Sequence, residues 1–261
     1  MRILPPPITL AAALLAALAG PAAAEGPKPY LRATLGLAWT GDTSFKDADC
    51  KAQDPFALFG CGTGENGKSI GARGDFGTTT MLGAGAGLEL TSWFRVEAAL
   101  DLRPNLAFDG NANFVKAGRD QPVSSTVNQA DLMAFAYVEP LAAMGVETRL
   151  RPYLGLGAGV SRNETSKMTY EFPALAQPRY SVMPGGTHYD FAWAAEAGLG
   201  YAVSDRITLE LAYRYSDLGQ VETDDGTLFV QRATSTLLIP IAATEASLTS
   251  QSVTVSARFG F

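Results

Sequence analysis

Apolar and polar positions along this chain alternate with period two. In ITLELAYRYSDLG, Ile207, Leu209, Leu211, Tyr213 and Tyr215 share one face, while Thr208, Glu210, Ala212, Arg214 and Ser216 share the other. SVTVSARFGF sets Val253, Val255, Ala257, Phe259 and Phe261 against Ser252, Thr254, Ser256, Arg258 and Gly260. In FRVEAALDLR, Phe94, Val96, Ala98, Leu100 and Leu102 oppose Arg95, Glu97, Ala99, Asp101 and Arg103, a face that is nearly all charge. YLRATLGLAW, LGAGAGLEL, PYLGLGAGV and FAWAAEAGLGY follow the same rule, which predicts strands and not helices. ADLMAFAYVE is apolar on both faces. There Asp131 and Glu139 fall in phase with Met133, Phe135 and Tyr137, which assigns that set to the polar side.

The pattern predicts eight strands, beginning near residues 30, 78, 94, 130, 152, 189, 206 and 250. Thr91-Ser92-Trp93 and Ser204-Asp205-Arg206 are short connections, and a moderate one spans about 142 to 150. The other four are long, covering roughly 40 to 77, 104 to 129, 163 to 187 and 217 to 249. An even strand count, segments of about ten residues and loops that alternate short and long are the geometry of an eight-stranded antiparallel up-and-down transmembrane β-barrel. A closed sheet is the β solution that pairs every backbone amide in lipid. A soluble sandwich is the competing arrangement, but it does not account for the loop asymmetry or for the Gly and Ala crowding the polar side.

In a barrel the apolar face meets lipid and the charged face meets the lumen. Arg32, Glu89, Arg95, Glu97, Asp101, Arg103, Asp131, Glu139, Arg151, Asp190, Glu196, Glu210, Arg214 and Arg258 then point inward, eight acids and six arginines in all. Eight strands enclose only enough room for side chains. Buried charges are costly unless partnered, so these ions are expected to pair across the barrel and plug it. Trp39, Trp93, Phe94, Tyr201, Tyr213 and Tyr215 lie near strand ends, as interfacial girdles require.

The first residues, MRILPPPITLAAALLAALAGPAAAEG, join a positive start, a short apolar core and an A-x-A exit. They predict a signal peptide over residues 1–24, too short to span a membrane, and a single barrel domain over 25–261. The two cysteines, Cys50 and Cys61, then lie close together in an oxidising compartment and are expected to form a disulfide. The net charge of −6, or −7 once Arg2 is removed, excludes nucleic acid as a natural partner. Two cysteines and a single histidine exclude the common zinc arrangements, and no cofactor is expected.

Several motifs invite chemistry. GTGENGKS (62–69) satisfies the phosphate-loop pattern, and Gly62, Gly64 and Gly67 within it match a dinucleotide fingerprint. Both need a preceding strand and a following helix, and the glycines of SIGARGDFG oppose a helix. Arg73-Gly74-Asp75 spells the integrin tripeptide in the same long loop. His188 sits where the sixth strand begins, without the H-x-S arrangement of lipid A deacylases, and reads as a rim residue. Asp109-Gly110-Asn111 and Asp224-Asp225-Gly226 read as solvated turns. TLLIPIAA (236–243) is apolar within the last long loop; it extends the flanking strands, touches lipid or folds over the barrel mouth.

RPYLGLGAGV, FAWAAEAGLGY, LELAYRYSDLG and the terminal ARFGF resemble the Gram-negative outer-membrane β-barrel family of OmpA-like and opacity-type porin proteins, over about residues 30 to 261. Arg151 to Gly159 is similar to the family's fifth-strand motif and Tyr213-Arg214-Tyr215 to its seventh. The resemblance implies an integral place in the cell outer membrane with both termini in the periplasm. It implies outer-membrane lipid, lipopolysaccharide and the barrel-assembly machinery as partners. That machinery would read the closing aromatic residues Phe259 and Phe261. Phe135 stands where relatives often have asparagine, and the peptidoglycan-binding domain of longer relatives is not expected. A structural, loop-displaying, non-catalytic role follows. The alternatives are a small-solute channel or lipid-modifying enzyme, and an adhesin that meets a host surface through its long loops.

Overall fold

The structure is a computed structural model describing residues 26–175 and 179–261, so the predicted leader, residues 1–24, lies outside the described residues. In chain order its strands are β1 (Lys28–Thr40), β2 (Thr43–Asp47), β3 (Ala72–Asp75), β4 (Thr78–Glu89), β5 (Phe94–Ala112), β6 (Pro122–Val138), β7 (Leu150–Thr165), β8 (Met168–Glu171), β9 (Tyr180–Met183), β10 (Gly186–Ala202), β11 (Ile207–Glu222), β12 (Gly226–Gln231), β13 (Thr236–Ile241) and β14 (Thr244–Gly260). One short helix, α1 (Pro140–Ala143), lies in the connection from β6 to β7.

Eight of these strands close a ring in the order β1, β4, β5, β6, β7, β10, β11, β14, each antiparallel to the next. The ring shuts where β1 meets β14, from Tyr30 opposite Gly260 to Thr40 opposite Ser250. No ring strand is left with a bare edge, the condition lipid imposes on a sheet. The alternation dictates which side chains face out. Leu35, Leu37, Leu156 and Leu211 are 55% or more exposed, a level of apolar exposure that only lipid makes favourable over so many neighbouring positions. The inward assignment of Met133, Phe135 and Tyr137 on β6 holds, since all three are buried.

One end of the ring carries tight turns. Thr91 and Leu90 close the β4–β5 turn with amides on the Phe94 carbonyl, and Val203 and Ser204 do the same onto Ile207. Helix α1 has proline in its first turn and ends at Gly145, whose φ of 75° supplies the left-handed residue that stops it. Trp93, Phe94 and Tyr201 lie at this end, while Trp39 packs on Tyr213 at 6.4 Å and Trp193 on Tyr215 at 5.6 Å towards the other. These are the two aromatic girdles.

The opposite end departs from the sequence expectation. The long connections are not open loops. β6 begins at Pro122 instead of near 130 and β14 at Thr244 instead of near 250, and β5 runs for 19 residues. β2, β3, β8, β9, β12 and β13 add themselves to the sheet above the ring. The physical reason is a reversal of the alternation. On β14, Val253 and Val255 face out below and Ser252 and Thr254 face in; above them Ser247, Thr249 and Gln251 turn outward while Ala246 and Leu248 are buried. Two β-bulges help the reversal along, one between Arg103 and Leu106, the other between Asp217 and Gln220. Asn105 (φ 55°) and Gly219 (φ 72°) provide the left-handed residues there, shifting the inward parity from Arg103 to Leu106 and from Leu218 to Val221.

Candidate functional site

The interior therefore has two storeys, an ionic one within the lipid-facing ring and an apolar one above it. In the ionic storey, Arg214 on β11 donates through Nε to Glu196 at 2.6 Å and through Nη1 to Asp101 on β5 at 2.5 Å. Arg32 on β1 lies 2.7 Å from Glu97, 3.3 Å from Glu196 and 3.6 Å from Glu210, and donates to the Tyr137 hydroxyl at 2.9 Å. Arg95 sits 3.3 Å from Glu210 and 3.9 Å from Glu139, with its guanidinium 4.2 Å from the Tyr137 ring and 4.8 Å from that of Tyr153. Arg258 pairs with Glu210 at 3.0 Å and Glu139 at 3.5 Å, and contacts Glu89. Arg103 closes the top of this storey on Asp131 at 2.5 Å and Gln129 at 2.7 Å.

Five arginines thus face seven carboxylates, and neutral donors help with the excess. Tyr153 donates to Glu196 at 3.0 Å and Gln129 to Asp131 at 3.1 Å. The rings are seated by glycine. Phe135 lies on Gly157, where an added Cβ would approach it to 2.6 Å, and Tyr137 lies on Gly155. The fifth-strand repeat is therefore a row of sockets for β6 aromatics.

Two of the inward-assigned residues stand apart. Arg151 is at the tight-turn rim, 40% exposed in its side chain and 3.8 Å from Glu139. Asp190 faces inward, but among the described residues it pairs with no arginine; it accepts the Phe191 amide at 2.7 Å and the Gln220 amide at 2.9 Å. It braces the β11 bulge, because that bulge frees a backbone N–H needing an acceptor.

The apolar storey was not foreseen. Phe45 packs edge to face on Phe76 and Phe108, which are tilted against each other, with centroids 5.0 to 6.1 Å apart, in one cluster with Leu106, Val127 and Leu248. Above them Phe59 stacks on Phe114 at 5.4 Å, and both touch Tyr170. Burial first, and the Asp47 carboxylate second, push the Tyr170 phenol well above its ordinary range, so it keeps its proton and points it at the Met168 sulfur at 3.0 Å. The legible signal was the parity slip at Pro104-Asn105 and at Gly219.

Around this storey the motifs find ordinary places. Cys50 and Cys61 are joined by a disulfide, and Asp47 beneath them accepts the Leu58, Phe59 and Gly60 amides at 2.6 to 3.1 Å. GTGENGKS is a turn bridged between Thr63 and Ser69 that leads into β3, with no helix after it. Arg73-Gly74-Asp75 is not in a free loop: it is β3, hydrogen-bonded to β2 on one side and β5 on the other. Asp109-Gly110-Asn111 is likewise strand, within β5, and not a turn. Asp225 accepts the Ala243 amide at 2.7 Å, and among the described residues no three His, Cys, Asp or Glu side chains are grouped to hold a metal. His188 Nδ1 meets Glu222 Oε2 at 2.6 Å, a partner that local sequence could not reveal. TLLIPIAA supplies β13, which forms a hairpin with β12 and buries Ile241 in the apolar storey. Phe259 lies outward between Leu31 and Ile207, and Phe261 is 71% exposed with its amide on the Pro29 carbonyl at 3.1 Å.

A family model described as outer membrane protein beta-barrel domain matches residues 9–259. No curated protein sequence matches the chain. Among solved structures, Neisserial surface protein A is 15% identical, with 91% of this chain and 100% of that one covered and a TM-score of 0.45. Outer membrane protease OmpT from Escherichia coli is 10% identical, with 90% and 97% covered and a TM-score of 0.47. OprG from Pseudomonas aeruginosa is 13% identical, with 90% and 97% covered and a TM-score of 0.44.

Proposed function

This chain belongs to the outer-membrane protein β-barrel family, and from that premise we propose that it is a non-catalytic, closed barrel that braces the envelope and displays its loop end at the cell surface. The observation that carries this reading is the contact of opposite walls in the ionic storey, Arg214 with Asp101 and Arg95 with Glu210, beneath a packed aromatic layer. A solute would have to displace paired buried ions and then a hydrophobic core, both expensive steps. The tight turns and both termini face the periplasm in this reading, the loop end faces outward, and lipid and lipopolysaccharide surround the girdles. The barrel-assembly machinery is the proposed reader of Phe259 and Phe261, which project beside the β1–β14 seam.

The test is reconstitution into planar bilayers. Purified, heat-modifiable barrel is expected to give no unitary steps; reproducible conductance of nanosiemens order would refute a closed lumen. The hydrolase reading needs a nucleophile on His188, and among the described residues its imidazole meets Glu222 while no serine, threonine or cysteine side chain is hydrogen-bonded to it. The adhesin reading loses its tripeptide, because both edges of β3 are occupied by neighbouring strands.

A further inference from the structure

We propose that the loop end carries a binding cleft for a small, water-soluble amphipathic anion: one carboxylate or sulfonate on an aromatic or short aliphatic body. All four long connections contribute to a cleft of about 610 Å³, with Leu58 from the first, residues 114–117 from the second, Tyr170, Phe172 and Arg179 from the third and Leu228 and residues 230–235 from the fourth. That volume suits a small ligand.

Its floor and rim have opposite chemistry. Phe114, Tyr170 and Phe172 form the floor, with Phe114 6.0 Å from each of the other two rings. Lys116, Arg179 and Arg232 stand around it, and among the described residues not one Asp or Glu lines the cleft, although the chain as a whole has a net charge of −6. Among the described residues none of these three cations is ion-paired; Glu65 is nearby but is engaged with the Lys116 backbone amide at 3.0 Å. The Arg179 Nε is buried without an acceptor. Lys116 and Arg232 reach into water and supply a positive field, while the buried, unanswered Arg179 Nε beside the aromatic floor asks for a ligand that is both anionic and apolar. A neutral hydrocarbon would leave the Arg179 Nε unanswered, and a hydrophilic polyanion would leave the aromatic floor in contact with water. The cleft lies above the upper girdle and away from the lipid-facing leucines, which favours a solute arriving from water over a membrane lipid.

The experiment uses the full barrel in nanodiscs, titrated calorimetrically with naphthalene-2-carboxylate and with the neutral naphthalene-2-carboxamide, against empty nanodiscs as blank. The carboxylate is expected to bind saturably and at least about tenfold more tightly than the amide, a difference lost as salt rises. Arg179→Gln and Arg232→Gln are each expected to weaken the carboxylate by about tenfold and leave the amide unchanged, while Phe172→Ser weakens both. Heat-modifiable gel mobility verifies that each variant retains its barrel. Absence of saturable heat, equal affinity for acid and amide, or unaltered carboxylate binding in the folded arginine variants would each overturn the proposal.

Discussion

Asp101 and Arg214 stand on diametrically opposed strands and meet at 2.5 Å across the middle of the barrel. Both side chains are at most 2% exposed, so each is the other's substitute for water. Asp101→Ala leaves half of the Arg214 guanidinium unanswered and is expected to cost about 3–5 kcal/mol. Urea unfolding of the detergent-solubilised barrel measures it. A loss within error would mean that Glu196 alone suffices to hold the arginine.

The sockets on β7 make a second expectation. Gly157→Val places two methyl groups where the Phe135 ring now lies, and Phe135 in turn supports Arg214 at 4.8 Å from its centroid. Overpacking of this kind costs roughly 1–3 kcal/mol, with more where a charge pair is disturbed. The substitution is expected to lower the temperature at which the barrel changes gel mobility. Phe135→Ala in the same chain restores part of the loss, which separates crowding from any effect of valine itself.

The aromatic layer is expected to matter as much as the ions. Phe108→Ala removes the ring shared by Phe45 and Phe76 and should cost about 3–5 kcal/mol. In bilayers, Arg32→Ser with Glu97→Ser is expected to leave the barrel non-conducting, because the apolar storey stands intact above it. Unitary steps from that double variant would show that the ions alone close the lumen.

Asp47 and the disulfide secure the first connection in different ways. Asp47→Ala strands the amides of Leu58, Phe59 and Gly60, a loss of about 1–3 kcal/mol. Limited proteolysis is expected to cut between residues 48 and 60 in this variant and in Cys50→Ser/Cys61→Ser, and to leave the ring strands whole. Resistance of both variants would mean that Phe59, stacked on Phe114, holds the segment by itself.

The ring was legible because period-two alternation needs no knowledge of partners: Arg95, Glu97, Asp101 and Arg103 follow one another on one parity, and that parity is the lumen. Which ions would meet was not legible, since Asp101 and Arg214 are 113 residues apart and are brought together by the closure of the ring. The upper storey was hidden for a different reason. Pro104-Asn105 resembles the start of a loop, yet it is a bulge, after which Leu106 and Phe108 turn inward where Arg103 did before. A reversal of polarity on an unbroken strand reads, in sequence, as the strand's end. Asp190 had the right parity and the wrong role, because the bulge that it braces is itself invisible in the alternation.

The two aromatic girdles have a consequence for the bilayer. From Trp193 to Tyr201 is eight steps along β10, roughly 26 Å of strand and nearer 20 Å once tilted. Above Trp193 come the outward rings of Phe191 and Tyr189, and only then Thr187, so the molecule carries its own waterline, drawn by covalent spacing. Beyond Tyr189 a thicker membrane has no further apolar wall to climb on this strand, and it is the lipid that must thin to meet the protein, at a fraction of a kcal/mol per Å.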